Sequence, residues 1–145
     1  MGTRLKMVAP PRKIIRYVEQ TEGMRFKKVP TVQYSDIRER GRNHLSMELD
    51  ACGRDKQVAK ATITINNKYT KPIEQRNHQY AAKGVDNLVL MHELRENLHF
   101  QNKAGLSSKQ VHTHVVSQEP KDVAWLKRNN FVTKLPPNKK SRNFF

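Results

Sequence analysis

Residues 45–65 read LSMELDACGRDKQVAKATITI, and two alternating segments within this stretch decide the fold. Apolar and polar side chains alternate in 45–51 and again in 59–65, and this period of two is typical of strands that are buried on one face. The residues between the two segments include Gly53, which can adopt the positive φ of a tight turn. We therefore predict an antiparallel β-hairpin with one apolar face and one polar face.

Helices are expected to cover the apolar face, because an isolated two-stranded hairpin is only marginally stable in water. Residues 86–100 are predicted to form one helix, with Asp86 as its N-cap and apolar residues at helical spacing. Those apolar residues are Leu88, Met91, Leu94 and Leu98. A second helix is predicted over 121–130. Together these elements predict an α+β domain over 45–130, a small antiparallel sheet packed on one or two helices.

Long basic arms are predicted on both sides of this domain. Residues 1–44 show no sustained hydrophobic period and are expected to be an extended N-terminal arm that packs along a surface, with room for one short helix. Residues 131–145 are expected to be a basic C-terminal tail. The net charge is +15; residues 1–18 hold five basic residues and no acid, and 121–145 hold seven against Asp122 alone. Such an excess is normally neutralised by a polyanion. A solvated charged surface is the plainer interpretation, but both arms also carry aromatic side chains, which favours RNA.

The stretch His112-Thr113-His114 is the best candidate for metal-dependent chemistry, because alternate residues of a strand face the same side and can share an ion. Its companions lack the second histidine of a zinc hydrolase motif. They are His92, Glu93, Glu96 and His99. Cys52 is the sole cysteine, which excludes a disulfide within the chain, and no apolar run is long enough for membrane insertion. We predict a histidine pair facing solvent or RNA, and no enzyme, cofactor, metal ion or small-molecule substrate.

The turn Lys68-Tyr69-Thr70-Lys71-Pro72-Ile73 offers two ammonium groups, an aromatic ring and a hydroxyl on a segment stiffened by proline. This combination favours contacts to phosphates and a stacked base, although a loop that merely ends a strand is the plainer interpretation. We add the turn to the basic residues of both ends as the predicted RNA-binding set. The set is Arg4, Lys6, Arg12, Lys13, Arg16, Lys68, Tyr69, Thr70, Lys71, Lys127, Arg128, Lys134, Lys139, Lys140 and Arg142.

Three short segments resemble the mitochondria-specific large-subunit ribosomal protein forty-two family. They are Met47-Glu48-Leu49 in the first predicted strand, Thr70-Lys71-Pro72-Ile73 after the second, and Phe131-Val132-Thr133-Lys134 before the basic tail. The resemblance covers 45–76 and 123–145. It implies a non-catalytic protein of the mitochondrial matrix, bound to the rRNA of the large ribosomal subunit and to neighbouring ribosomal proteins.

The residues by themselves predict an RNA-bound assembly protein and do not indicate the organelle. One alternative is a freestanding RNA-processing or spliceosomal factor, nuclear or cytoplasmic, that binds through the same basic ends. Another alternative is a metal-dependent enzyme that uses His112 and His114. Sedimentation with the large subunit at high salt separates a ribosomal protein from a freestanding factor, and metal analysis of the purified protein tests the enzyme.

Overall fold

The computed structural model describes residues 7–67, 85–102 and 105–131. Six elements follow one another along these ranges. They are α1 (Arg12–Glu22), β1 (Thr31–Ser35), β2 (Gly41–Leu49), β3 (Lys56–Asn66), α2 (Val85–Asn102) and α3 (Ser108–Arg128). Strand β3 lies in the centre of the sheet, antiparallel to β2 and parallel to β1. The predicted α+β class is confirmed, and none of the helices in these ranges is long and apolar enough to cross a membrane.

The hairpin formed by β2 and β3 confirms the predicted antiparallel pairing, but the predicted polar face is not solvated near the end of β3, where Thr62 and Thr64 are 5% and 8% exposed. Its register pairs Gly41 with Ile65 at one end and Leu49 with Lys56 at the other, so β2 begins before its alternating segment and β3 extends beyond its segment at both ends. Gly53 adopts a φ of 69° in the turn between them, as its position predicts. The sheet is mixed rather than purely antiparallel, because β1 adds a parallel strand to the far edge of β3.

The tip of the hairpin differs from the predicted strand, which extends to Ala51. That residue lies in the turn, and Leu49 is 56% exposed, because the tip lies outside the core. Asp50 stabilises the turn instead. Its Oδ1 atom accepts hydrogen bonds from the backbone N–H groups of Cys52 and Arg54, both at 3.0 Å.

The extended arm expected for residues 1–44 is corrected by the structure, because much of its described part is folded. Helix α1, strand β1 and the first residues of β2 all lie within it. Ile14 and Val18 of α1 are 0% exposed and Val32 of β1 is 1% exposed, so this region supplies part of the core. Helix α1 is too short to show a sustained period, and it ends at Gly23, which adopts the left-handed conformation at the C-cap.

Helix α2 lies at the centre of the molecule and is buried on most sides. The predicted apolar residues are at most 2% exposed, namely Leu88, Met91, Leu94 and Leu98. Arg95 and Asn97 are 0% exposed as well, because α2 packs against β2 and β3 on one side and against α1 and α3 on the other. Asp86 lies inside the first turn rather than at the N-cap, and it accepts a hydrogen bond from the Tyr34 hydroxyl at 3.3 Å.

Helix α3 is much longer than the predicted 121–130, and it includes the histidine stretch that the alternation predicts as a strand. Its N-terminus is a capping box. The Ser107 hydroxyl accepts from the Gln110 N–H at 3.2 Å, and the Gln110 side chain accepts from the Ser107 N–H at 2.8 Å. Pro120 lies inside the helix, where it removes one backbone donor. Because proline usually interrupts a helix, the sequence favours a helix that starts after this residue.

Candidate functional site

The structure describes part of the predicted RNA-binding set, and each member that it describes is exposed. Arg12, Lys13 and Arg16 lie on α1, and Lys127 and Arg128 lie in the last turn of α3. We call these five residues the α1–α3 basic surface. The other predicted members lie outside the described residues. They are Arg4, Lys6, Lys68, Tyr69, Thr70, Lys71, Lys134, Lys139, Lys140 and Arg142.

A stack of three aromatic rings connects α1 to α3, the two helices that carry these cations. The ring of Tyr17 on α1 lies against Trp125 on α3 with centroids 4.3 Å apart, and Trp125 lies against Phe131 at 5.7 Å. Arg16 directly precedes Tyr17 in the chain. Burial raises the pKa of the Tyr17 hydroxyl, and the negative charge of Asp122 adds to this shift. The stack therefore joins α1 to α3, and the buried guanidinium group of Arg95 on α2 lies 5.5 Å from the centre of the Tyr17 ring.

His112 and His114 do not face the same side, which corrects the predicted histidine pair. They are two residues apart on a helix, and 3.6 residues per turn rotates such side chains by about 200° relative to each other. His112 contacts Glu96 of α2, whereas His114 contacts Glu22 of α1. Each histidine belongs to its own cluster of two histidines and one glutamate. The two histidines thus do not form one pair, although the His112 side chain is 60% exposed to solvent.

The first cluster, His92–Glu96–His112, lies between α2 and α3. The Oε2 atom of Glu96 is 2.8 Å from Nε2 of His92 and 2.9 Å from Nδ1 of His112. The other ring nitrogen of His92, Nδ1, is 2.9 Å from Oε1 of Glu119 on α3. Burial alone would lower the pKa of His92, but the contacts with Glu119 and Glu96 outweigh burial and raise it to about 9. At neutral pH, His92 is therefore an imidazolium held between two carboxylates.

A cavity of about 210 Å³ lies beside the first cluster. Its lining includes Glu93, Arg40 and His112. Burial and the charge of Glu96 raise the pKa of Glu93 to about 7, although Asn43 donates a hydrogen bond to its Oε2 atom at 2.8 Å. Glu93 can therefore gain or lose a proton near neutral pH at the wall of this cavity.

The second cluster, Glu22–His99–His114, has the same composition but a different neighbour. The Nε2 atoms of His99 and His114 lie 2.5 Å and 2.9 Å from Oε1 of Glu22. The Oε2 atom of Glu22 accepts a hydrogen bond from Arg95, whose Nη1 atom is 2.5 Å away. Burial opposes ionisation of Glu22, but the two histidines and Arg95 outweigh burial, so its pKa lies below the usual value. The charge of Glu22 is thus already compensated by a guanidinium group.

The sequence pointed to some members of these clusters but not to their arrangement. His92, Glu96 and His99 are among the companions predicted for the histidine stretch, whereas Glu22 and Glu119 are not. The spacing of His92 and Glu96, four residues apart on a helix, is the sequence signal that brings two side chains onto one face. No local pattern marks Glu22 or Glu119, because their partners lie on other helices.

Comparison of the chain with protein-family models, with curated proteins and with solved structures finds no match. What the α1–α3 basic surface and the two clusters bind must therefore follow from their own geometry and charge. The surface offers exposed cations on two helices joined by stacked aromatic rings, and the clusters offer imidazole and carboxylate donors.

Proposed function

We propose that this protein is a structural component of a ribosome, in the mitochondrial large subunit, where it binds rRNA and neighbouring ribosomal proteins. The observation that carries the proposal is the set of five exposed cations on α1 and α3, two helices that are joined by the stacked rings of Tyr17 and Trp125. The net charge of +15 and the resemblance to a mitochondrial ribosomal protein family support the same function. In this role the protein is not an enzyme.

The geometry of the surface suits the phosphate backbone of a folded RNA. Lysine and arginine contact phosphates without reading bases, and such contacts position a protein on nucleic acid. Arg12 and Arg16 are one helical turn apart on α1, so their side chains can reach neighbouring phosphates. Because the ring stack fixes α1 against α3, less entropy is lost when these cations are ordered on RNA. Binding is expected to depend strongly on salt and only weakly on base sequence.

Several residues of the predicted RNA-binding set lie outside the described ranges, and we assign their RNA contacts from side-chain chemistry alone. In the turn 68–73, Lys71 is assigned a phosphate contact, Thr70 a hydroxyl contact and Tyr69 a stacked base. Lys139, Lys140 and Arg142 add cations from the basic tail.

Binding of the full chain to fragments of large-subunit rRNA across a salt series tests the RNA contact. A Lys13→Ala/Arg16→Ala double variant should reduce the slope of log K against log salt by about 1.5, because each phosphate contact contributes about 0.7–0.9. A Lys56→Ala/Lys60→Ala variant is the matched control, since these exposed lysines lie on β3 rather than on α1 or α3. Equal slopes for the two variants would place the RNA contact elsewhere on the protein.

A density gradient at high salt tests the ribosomal assignment. A ribosomal component stays with the large subunit, whereas a freestanding RNA-processing or spliceosomal factor is washed into lighter fractions. Recovery of the chain in light fractions alone would favour the freestanding factor. Gradients run separately on mitochondrial, nuclear and cytoplasmic extracts identify the compartment.

A further inference from the structure

We propose that the His92–Glu96–His112 cluster binds one divalent transition-metal ion, with Zn²⁺ as the ion that best fits the donor set. The donors are Nε2 of His92, Oε2 of Glu96 and Nδ1 of His112, which all lie within 4.8 Å of one another. Two imidazoles and one carboxylate are a recurrent set of protein ligands in zinc sites. Imidazole donors also favour a transition metal over Mg²⁺ or Ca²⁺, which prefer sites made of oxygen alone.

The three donor atoms already converge on one point. The Oε2 atom of Glu96 is 2.8 Å from one imidazole nitrogen and 2.9 Å from the other. Tetrahedral coordination at about 2.0–2.1 Å separates donor atoms by about 3.3 Å, so each of these distances would widen by about 0.5 Å. Small side-chain rotations supply that movement, and the ion takes the place of the hydrogens that now lie between the donors.

The second ring nitrogen of His92 has the partner that a metal ligand requires. Its Nδ1 atom is 2.9 Å from Oε1 of Glu119, so a carboxylate fixes the ring orientation while Nε2 faces the donors. Metal-binding histidines usually donate their other N–H to a carboxylate or carbonyl in this way. Glu119 lies on α3 and His92 on α2, so the arrangement joins the two helices.

The ion would keep one coordination position open. His92 and Glu96 are mostly buried, with side-chain exposures of 15% and 14%, whereas His112 is 60% exposed and gives access from solvent. The cavity of about 210 Å³ is lined by His92 and His112, so it lies on the cluster itself. Three protein ligands beside such a cavity leave room for a bound water molecule, as in zinc sites with three protein ligands.

The charges around the two clusters differ, and this difference indicates which cluster binds a cation. Apart from the two histidine ligands, the charged residues that line the cavity of the first cluster are Glu93, Glu119 and Arg40. In the second cluster, Arg95 lies 2.5 Å from Oε2 of Glu22, where its positive charge repels a cation and occupies a donor atom. We therefore assign the ion to the first cluster alone.

Metal titration of the full-length chain, after removal of bound metal with a chelator, tests this site. Zn²⁺ is titrated by calorimetry and Co²⁺ by its visible absorption, and one ion per chain is expected for the wild-type protein. His112→Ala should abolish binding, whereas His114→Ala is the matched control and should retain it. Glu119→Gln should weaken binding by about 10–100-fold, because it changes only the partner of a ligand.

Three results would overturn the proposal. They are a wild-type chain that binds no ion, equal loss of binding in the His112→Ala and His114→Ala variants, and unchanged binding by His112→Ala. Circular dichroism of the metal-free proteins verifies that both variants fold. A His112→Cys variant, made together with Cys52→Ser, keeps the site testable if His112→Ala misfolds. It should bind Co²⁺ with an added thiolate charge-transfer band, and absence of that band would also reject the site.

Discussion

Arg95 of α2 and Asp122 of α3 form a bidentate ion pair inside the helical layer, with Nε–Oδ2 and Nη2–Oδ1 distances of 2.8 Å and 2.6 Å. Both side chains are buried, at 0% and 5% exposure. The planar guanidinium matches the carboxylate at two points, and Glu22 of α1 contacts the remaining Nη1 atom. One buried guanidinium group therefore links all three helices.

Asp122→Ala should destabilise the protein by about 3–5 kcal/mol, because loss of one partner leaves a buried charge incompletely compensated. Chemical denaturation followed by circular dichroism measures the free energy of unfolding. Glu39→Ala is the matched control, since Glu39 pairs with Arg42 on the surface with side-chain exposures of 53% and 55%. This control should leave the stability unchanged, because exposed ion pairs contribute little. Similar stability of the Asp122 variant and the control would contradict the role of the buried pair.

Glu22 should make the protein sensitive to acid. Its pKa in the folded state lies below the usual value of 4.5, so its contribution to stability is present above pH 4.5 and is lost as the pH falls through the lowered pKa. Glu22→Gln should therefore flatten the acid limb of the unfolding free energy plotted against pH. Denaturant titrations from neutral to acid pH measure this limb. An acid limb as steep as that of the wild type would assign the acid sensitivity to other groups.

Glu93 should make the metal-free protein less stable as the pH rises. Burial raises its pKa from 4.5 to about 7, so between these values the folded state holds a proton that the unfolded state has released. Stability therefore falls over this interval. Glu93→Gln should be more stable than the wild type by roughly 3 kcal/mol above pH 7, and equally stable below pH 4.5. Thermal unfolding in the presence of a chelator, above pH 7 and below pH 4.5, tests this prediction. A Glu93→Gln variant that is no more stable than the wild type above pH 7 would contradict it.

Gly41→Ala should destabilise the packing of β2 on α2. An added Cβ would lie 2.7 Å from Cγ of Glu93 and 2.9 Å from Cγ1 of Val89, and such overpacking costs about 1–3 kcal/mol. In a Val89→Ala background the cost should be smaller, because one of the two contacts is removed. Gly53→Ala is the control, since nothing lies within 4 Å of its added Cβ and its strain comes from a φ of 69°. Its cost should be the same in both backgrounds.

Trp125 is the sole tryptophan of the chain, so its fluorescence reports on the α1–α3 basic surface. Its ring lies between Tyr17 and Phe131, and binding of rRNA to the adjacent cations should change its emission. Arg128→Ala should shift the titration to higher RNA concentration, whereas Arg54→Ala, in the exposed hairpin turn, should not. If a gel-shift assay detects binding while the emission stays constant, the RNA contact lies away from this surface.

Local sequence patterns determined the elements whose partners are close along the chain. The alternation in 45–65 is sufficient for the antiparallel hairpin, because a short turn joins its strands, but it does not predict the register shift between Ser46 and Met47. The spacing of Leu88, Met91, Leu94 and Leu98 was sufficient for α2, because a helix forms its backbone hydrogen bonds within one segment. The sequence by itself also determined the excess of positive charge and the identity of the exposed cations on α1 and α3.

Only the tertiary structure decided which distant residues became neighbours. Strand β1 pairs with β3, with Val32 opposite Ile63, and no pattern within β1 indicates a partner so far along the chain. Arg95 is polar at a position that helical spacing assigns to solvent, yet it is fully buried because α1 and α3 cover that side of α2. Burial depends on which layers pack together, and a single segment does not contain that information.

At the candidate site, the histidines of α3 likewise show what the sequence determines and what only the tertiary structure determines. The sequence placed His112 and His114 two residues apart, but their relation in space depends on the element that contains them. On a strand they would share a face, whereas on α3 one joins Glu96 and the other joins Glu22. A helix in isolation leaves both side chains in water. Packing of α3 against α2 and α1 buried their carboxylate partners, and this packing created two separate clusters from one short motif.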